Sequence, residues 1–169
     1  MAVLILITLI ILCVITINTL TKDDDNYTDK LMSKGYKRDR KIYVGKYVSG
    51  HPDINNAIPY LDIYSTDTEL QIVEKVGNEP IKKAVIKNTS IIDVLAEDQS
   101  TIEKRITLGR VLLTGIFALA WKKKKKVELA YLTIEWNDGR FKHDTIFEFE
   151  GAGALEKANT ARNAIIKIV

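Results

Sequence analysis

Two histidines, one cysteine, a Gly-x-Gly segment and a run of five lysines are the residues of this 169-residue chain that could do chemistry. A protein metal site takes three or four ligands at short, regular spacing, and neither His51 nor His143 has such neighbours. His143 and Asp144 are adjacent, and successive side chains of a strand point to opposite faces, so they form no dyad. Cys13 lies inside an apolar run far from either histidine, which leaves no thiolate–imidazole pair for nucleophilic catalysis. Gly151-Ala152-Gly153 precedes a helical pattern, as phosphate-cradling loops do, but no Lys-Ser/Thr follows. It reads as a strand-to-helix hinge. The expectation is a protein that is not an enzyme, with no catalytic residues, no metal and no cofactor.

The lysine run remains. Ile106 to Trp121 is followed at once by Lys122, Lys123, Lys124, Lys125 and Lys126. The apolar part from Val111 to Trp121 rises ~16 Å as a helix, too short to span a bilayer. Arg110 at one end, Trp121 and the lysines at the other, and Leu112, Leu113, Ile116 and Phe117 between them suit a segment lying in a membrane interface. Lysines beside such an anchor attract anionic headgroups at ~1 kcal/mol each. The plainer alternative is a helix or hairpin packed on the domain, with its lysines solvated. Nucleic acid is not expected as a partner, because the run has no interleaved aromatics and the net charge is only +3.

Stepping out from these residues, the first element is the uncharged stretch at the start. Ala2, Val3, Leu4, Ile5, Leu6, Ile7, Ile10, Ile11, Leu12, Val14, Ile15 and Ile17 lie in a run free of Pro and Gly. Through Leu20 it covers ~28 Å as a helix, close to a bilayer's hydrocarbon core. A cleaved signal fits less well, for want of a basic n-region and a small-x-small site, and a buried core helix is the other alternative. Seven basic residues lie between Lys22 and Lys41 and none precedes the run. By the positive-inside rule the expected arrangement is single-pass in the cell membrane, with the downstream domain cytoplasmic. The expected division is an anchor at 1–21, a polar tether at 22–40 and one domain at 41–169 containing the 106–126 insert.

From Lys41 the pattern is that of strands. Ile42 to Val48, Leu61 to Tyr64, Leu70 to Glu74, Ile81 to Ile86 and Ile91 to Leu95 are short β-rich runs bounded by turn residues. Val127 to Trp136 alternates, with Ala130, Leu132, Ile134 and Trp136 on one face. Asn137-Asp138-Gly139 supplies a turn tolerant of positive φ, and Phe141 to Glu150 returns. Leu155, Ala158, Ala161, Ile165 and Ile168 then recur at helical spacing.

About seven strands followed by one amphipathic helix predict a mainly β (α+β) fold. The segments Arg110–Gly115, Lys122–Lys126, Tyr131-Leu132-Thr133-Ile134 and Thr145-Ile146-Phe147-Glu148, with Gly45-Lys46-Tyr47 and Gly50-His51-Pro52 upstream, resemble bacterial and archaeal pleckstrin-homology-like (PH-like) domain proteins. Trp136 stands where the strand motif commonly has Tyr. The resemblance covers roughly residues 41–168 and implies a bent antiparallel β-barrel capped by the C-terminal helix, here preceded by one transmembrane helix. Ser49 to Asn56, the loop that binds phosphoinositides in many PH domains, has no Lys or Arg, so specific inositol-phosphate recognition is not expected.

The function expected is a non-catalytic, membrane-anchored binding module on the cytoplasmic face. It would contact anionic membrane lipid through Arg110, the apolar segment and the lysines, without a small-molecule substrate. The alternative is a scaffold that binds another membrane protein by a strand edge or a helix groove.

Overall fold

The computed structural model describes residues 9–13, 26–37, 40–54, 58, 61–77, 79–107 and 127–169. The chain builds an α+β fold of two antiparallel four-stranded sheets and a C-terminal helix. The first sheet has the order β1-β3-β4-β5, from β1 (Lys41–Tyr43), β3 (Leu61–Ser65), β4 (Glu69–Val76) and β5 (Glu79–Lys87). The second has the order β2-β8-β7-β6, from β2 (Lys46–Ser49), β8 (Lys142–Glu150), β7 (Leu129–Asn137) and β6 (Ile91–Asp98). Helix α1 covers 26–33, α2 is Gln99–Thr107 and α3 is Ala154–Ile166.

Only two residues, Val44 and Gly45, separate β1 from β2, so the chain passes from one sheet to the other at a sharp corner. Sequence chemistry explains the corner. A Cβ on Gly45 would overlap the Glu148 carbonyl oxygen of β8, and one on Gly50 would overlap the Asp144 carbonyl oxygen. Gly50 also has φ +99°, a backbone state that L side chains rarely adopt. Glycine thus lets β2 lie directly on β8 at both of its ends.

The alternation of β7 sends Ala130, Leu132, Ile134 and Trp136 inward, where they meet Ile63, Leu70, Ile72 and Ile86 of the first sheet and Phe147 and Phe149 of β8. Ala154, Ala158, Ala161 and Ile165 of α3 complete this core, an i, i+4, i+7, i+11 stripe. Leu155, expected on that stripe, is 38% exposed. It sits one residue round the helix from Ala154, which takes the buried place.

Each sheet's outer face carries a smaller cluster under a helix. On the second sheet, Ile102 of α2 is fully buried against Val48, Leu129, Tyr131 and Ile146, which stabilises the contact by ~1.5–3 kcal/mol. Asp98 caps α2 by accepting the Thr101 N–H at 2.8 Å. On the first sheet, Tyr27 and Leu31 of α1 pack on Tyr64 and Val73, with Tyr36 beside them.

The two antiparallel sheets, with eight strands among the described residues, and the C-terminal helix agree with the expected mainly β (α+β), barrel-like character. The expectation is corrected in one respect. The expected transmembrane helix is overturned: among the described residues, no helix is long and apolar enough to cross a membrane. Of the apolar run, only 9–13 are described, as helix with exposed Leu9, Ile10, Ile11 and Leu12.

Candidate functional site

Strand β1 forms an edge of the first sheet among the described residues. This strand pairs with β3 on one side only, so its other edge faces α3. Between them runs a groove of about 470 Å³. Its strand wall is Lys41, Ile42 and Tyr43, and its helix wall includes the small residues Gly153, Ala161 and Ala164. Tyr43 is 67% exposed and meets Phe149 edge-on at 6.4 Å between ring centroids. Lys157 and Tyr43 also line a neighbouring hollow of about 420 Å³ at the Val44–Gly45 corner, so the two depressions share a rim. Positive φ at Gly151 (89°) and Gly153 (71°) turns the chain from β8 into α3 and sets the end of the groove. Glu128 accepts the N–H of Gly151 at 2.9 Å and of Gly153 at 3.2 Å, which holds this hinge.

A second cavity, about 370 Å³, lies beneath α1 on the outer face of the first sheet. Tyr27, Tyr36 and Tyr64 converge there; the rings of Tyr36 and Tyr64 are 4.9 Å apart. The Lys75 ammonium lies 4.6 Å from the centroid of the Tyr27 ring, and Lys41 pairs with Asp62 at 2.9 Å. Burial, and then the Asp62 carboxylate, push the Tyr27 phenol up to about 12 and the Tyr64 phenol higher still.

Both histidines are drawn to one tryptophan. The His51 ring is buried and stacks on Trp136 at 5.0 Å, while His143 lies 4.5 Å from the same indole. His51 Nδ1 accepts the Asp53 N–H at 3.2 Å, which assigns the proton to Nε2, a donor to the Val85 carbonyl at 3.3 Å. His143 pairs with Asp138 at 2.8 Å, and the Trp136 indole N–H donates to Thr145 at 2.9 Å. Burial lowers the His51 pKa, with a smaller upward pull from the Val85 bond and Asp53.

On the outer face of the second sheet, Arg105 of α2 is held between Glu97 at 2.6 Å and Glu135 at 3.2 Å, and it donates to Thr133 at 2.8 Å. Lys142 reaches Glu135 at 2.6 Å. Burial raises the Glu97 carboxyl despite Arg105, and burial with Glu135 raises that of Asp144. The cluster is a structural clamp on α2. Among the described residues no group of three or more His, Cys, Asp or Glu is placed to hold a metal.

The lipid-contact residues named from the sequence, Arg110 through Lys126, lie outside the described residues, as do anchor positions 2–7, 14, 15 and 17. The sequence suggests a strand edge or a helix groove as an alternative binding surface but not its residues, and the cavity under α1 escaped sequence reasoning, because the walls of both come from segments far apart in the chain. A signal did exist for the cavity: Tyr27, Leu31 and Tyr36 are apolar positions in an otherwise polar stretch.

No protein-family model matches the chain, and the search of curated proteins finds no match. The resemblance to PH-like proteins therefore rests on the quoted residues alone.

Proposed function

We propose that this protein is a non-catalytic binding module that takes an extended segment of a partner protein into the groove between β1 and α3. The supporting observation is the pairing of an edge strand with an open apolar channel. Among the described residues β1 has a partner strand on one side only, and the channel along its other edge is floored by small side chains. A strand added there would gain main-chain hydrogen bonds from the edge, and alternate side chains would enter the channel. Exposed Tyr43 offers a large, rigid contact face of the kind enriched at interface hot spots. Lys41, Lys157 and Glu156 form a charged rim that would set register.

The test is selection of peptides from a displayed library of ten-residue segments on the full chain. Selected peptides are then titrated against wild type, Tyr43→Ala and Thr160→Trp. Thr160 is exposed on the helix wall, so the Trp fills the channel without entering the core. Binding weakened about tenfold or more by both changes is expected. Peptides that bind all three proteins equally would refute the groove.

A further inference from the structure

We propose that the turn at His51–Ile54 is a proton-operated latch, which mild acid releases to bare the end of the core at Trp136. None of the groove residues takes part.

The turn bridges the two sheets. It follows β2 of the second sheet after Gly50, and His51 Nε2 reaches the Val85 carbonyl of β5 in the first sheet at 3.3 Å. Pro52 and Asp53 occupy its two middle positions, and the Ile54 N–H bonds back to the His51 carbonyl at 3.1 Å, an arrangement that proline favours in a β-turn. Tyr47 of β2 ties both ends: its hydroxyl accepts the His51 N–H at 3.0 Å and donates to the Ile54 carbonyl at 3.3 Å. Tyr47 and Ile54 belong to the main core with Trp136, on which the His51 ring stacks. Trp136 lies near the hairpin end of β7, so the turn covers the end of the core remote from the Gly151–Gly153 hinge.

The His51 ring has a fixed role at each nitrogen. Nδ1 accepts, because the Asp53 N–H points at it at 3.2 Å, and Nε2 donates, because Val85 offers a carbonyl. A second proton at Nδ1 would meet a donor, so the turn cannot keep its geometry around an imidazolium. The facing groups do not compensate. β5 presents the Val85 carbonyl, already bonded, β2 a neutral phenol and β7 the indole. His143 of β8 lies beside that indole and is bound to Asp138 at 2.8 Å. The Asp53 carboxylate is 3.9 Å from Nδ1 and largely in solvent. It can take the new proton only if the Asp53 N–H gives up Nδ1, and that exchange itself opens the turn. Burial of the closed ring disfavours the charge as well.

Opening returns His51 to the ordinary histidine value of about 6.5. The latch is therefore held in full above that pH, and the open fraction grows below it, by up to about tenfold between pH 7.5 and 5.5. The opened turn displays tryptophan and tyrosine, side chains that carry binding energy at interfaces.

Hydrogen exchange of the full chain, followed by mass spectrometry at pH 7.5 and 5.5 and corrected for the intrinsic effect of pH, tests the latch. Peptides covering 51–54 should exchange at least tenfold faster than those within β7 at both pH values, because the turn opens without global unfolding. Their corrected rate should rise several-fold, up to about tenfold, at pH 5.5. It should be insensitive to low, sub-denaturing urea, since little surface is exposed. His51→Gln should abolish the rise and His143→Gln should keep it. Exchange at 51–54 no faster or no less urea-sensitive than in β7, no rise in acid, a rise retained in His51→Gln, or one lost in His143→Gln would overturn the proposal. Were His51→Gln not to fold, the wild-type comparison with β7 and the His143→Gln protein would decide alone.

Discussion

Lowering the pH from 7.5 to 5.5 should destabilise this fold through one side chain, His51. Its ring is neutral in the folded protein, because Nδ1 accepts the Asp53 N–H and Nε2 donates to Val85. Protonation would place a second N–H at Nδ1, against the Asp53 N–H, and would charge a ring that is 4% exposed and stacked on Trp136. The facing groups offset little of this. Asp53 is 3.9 Å away with its carboxylate largely in solvent, and His143, beside the same indole, opposes a second positive charge. The folded pKa is therefore lowered from the ordinary histidine value of about 6.5, with burial as the main cause. For a base lowered on folding, the unfolded chain binds the proton more readily. Stability is then full above about 6.5 and falls as the pH drops from there toward the folded pKa. The slope is at most about 1.4 kcal/mol per pH unit. With a urea m-value of roughly 2 kcal/mol/M, a loss of 1 kcal/mol lowers the midpoint by about 0.5 M. Carboxylates titrate as well. Asp138, Asp98 and Glu79 are held low, so their contribution is lost only below about pH 4–5. Burial raises the Glu97 and Asp144 carboxyls, and these act with the opposite sign, so the comparison of wild type with His51→Gln isolates the histidine. Urea melts of wild type and His51→Gln at pH 7.5, 6.5 and 5.5 test this. The wild-type midpoint should fall with pH and that of the variant should not. Parallel curves would refute the assignment of the acid sensitivity to His51.

Gly50→Ala should cost about 3 kcal/mol or more, because the new Cβ meets the Asp144 carbonyl at φ +99°. Gly77→Ala, with φ +60° but open space around it, should cost only about 1 kcal/mol; similar denaturation midpoints for the two would refute the close approach of β2 and β8. Arg105→Met should cost about 3–5 kcal/mol by leaving Glu97 and Glu135 without their buried partner. Adding Glu97→Gln and Glu135→Gln should recover much of that loss in the same melts, and no recovery would show that Arg105 acts by packing rather than charge.

The sequence alone made some elements legible for local reasons. The hairpin of β7 and β8 shows in the alternation of Ala130, Leu132, Ile134 and Trp136 and in the Asn137-Asp138-Gly139 turn, where Gly139 has φ 95°. The helix after Gly151 shows in the spacing of Ala158, Ala161 and Ile165. The apolar run at the start suggested a spanning helix, and among the described residues no helix is long and apolar enough to cross a membrane. Nothing in the spacing of the two histidines placed both against Trp136.

Periodicity and turn chemistry depend on neighbours within a few residues, so sequence alone determined the β-rich character of residues 41–150, the final hairpin and the C-terminal helix. The division into two sheets, the open edge of β1 and the meeting of Tyr27, Tyr36 and Tyr64 depend on contacts between distant segments. β2 pairs with β8 roughly a hundred residues away, and α1 finds its place only on the outer face that β3 and β4 build together. Such pairings follow from mutual packing and register, and only the tertiary structure decides them.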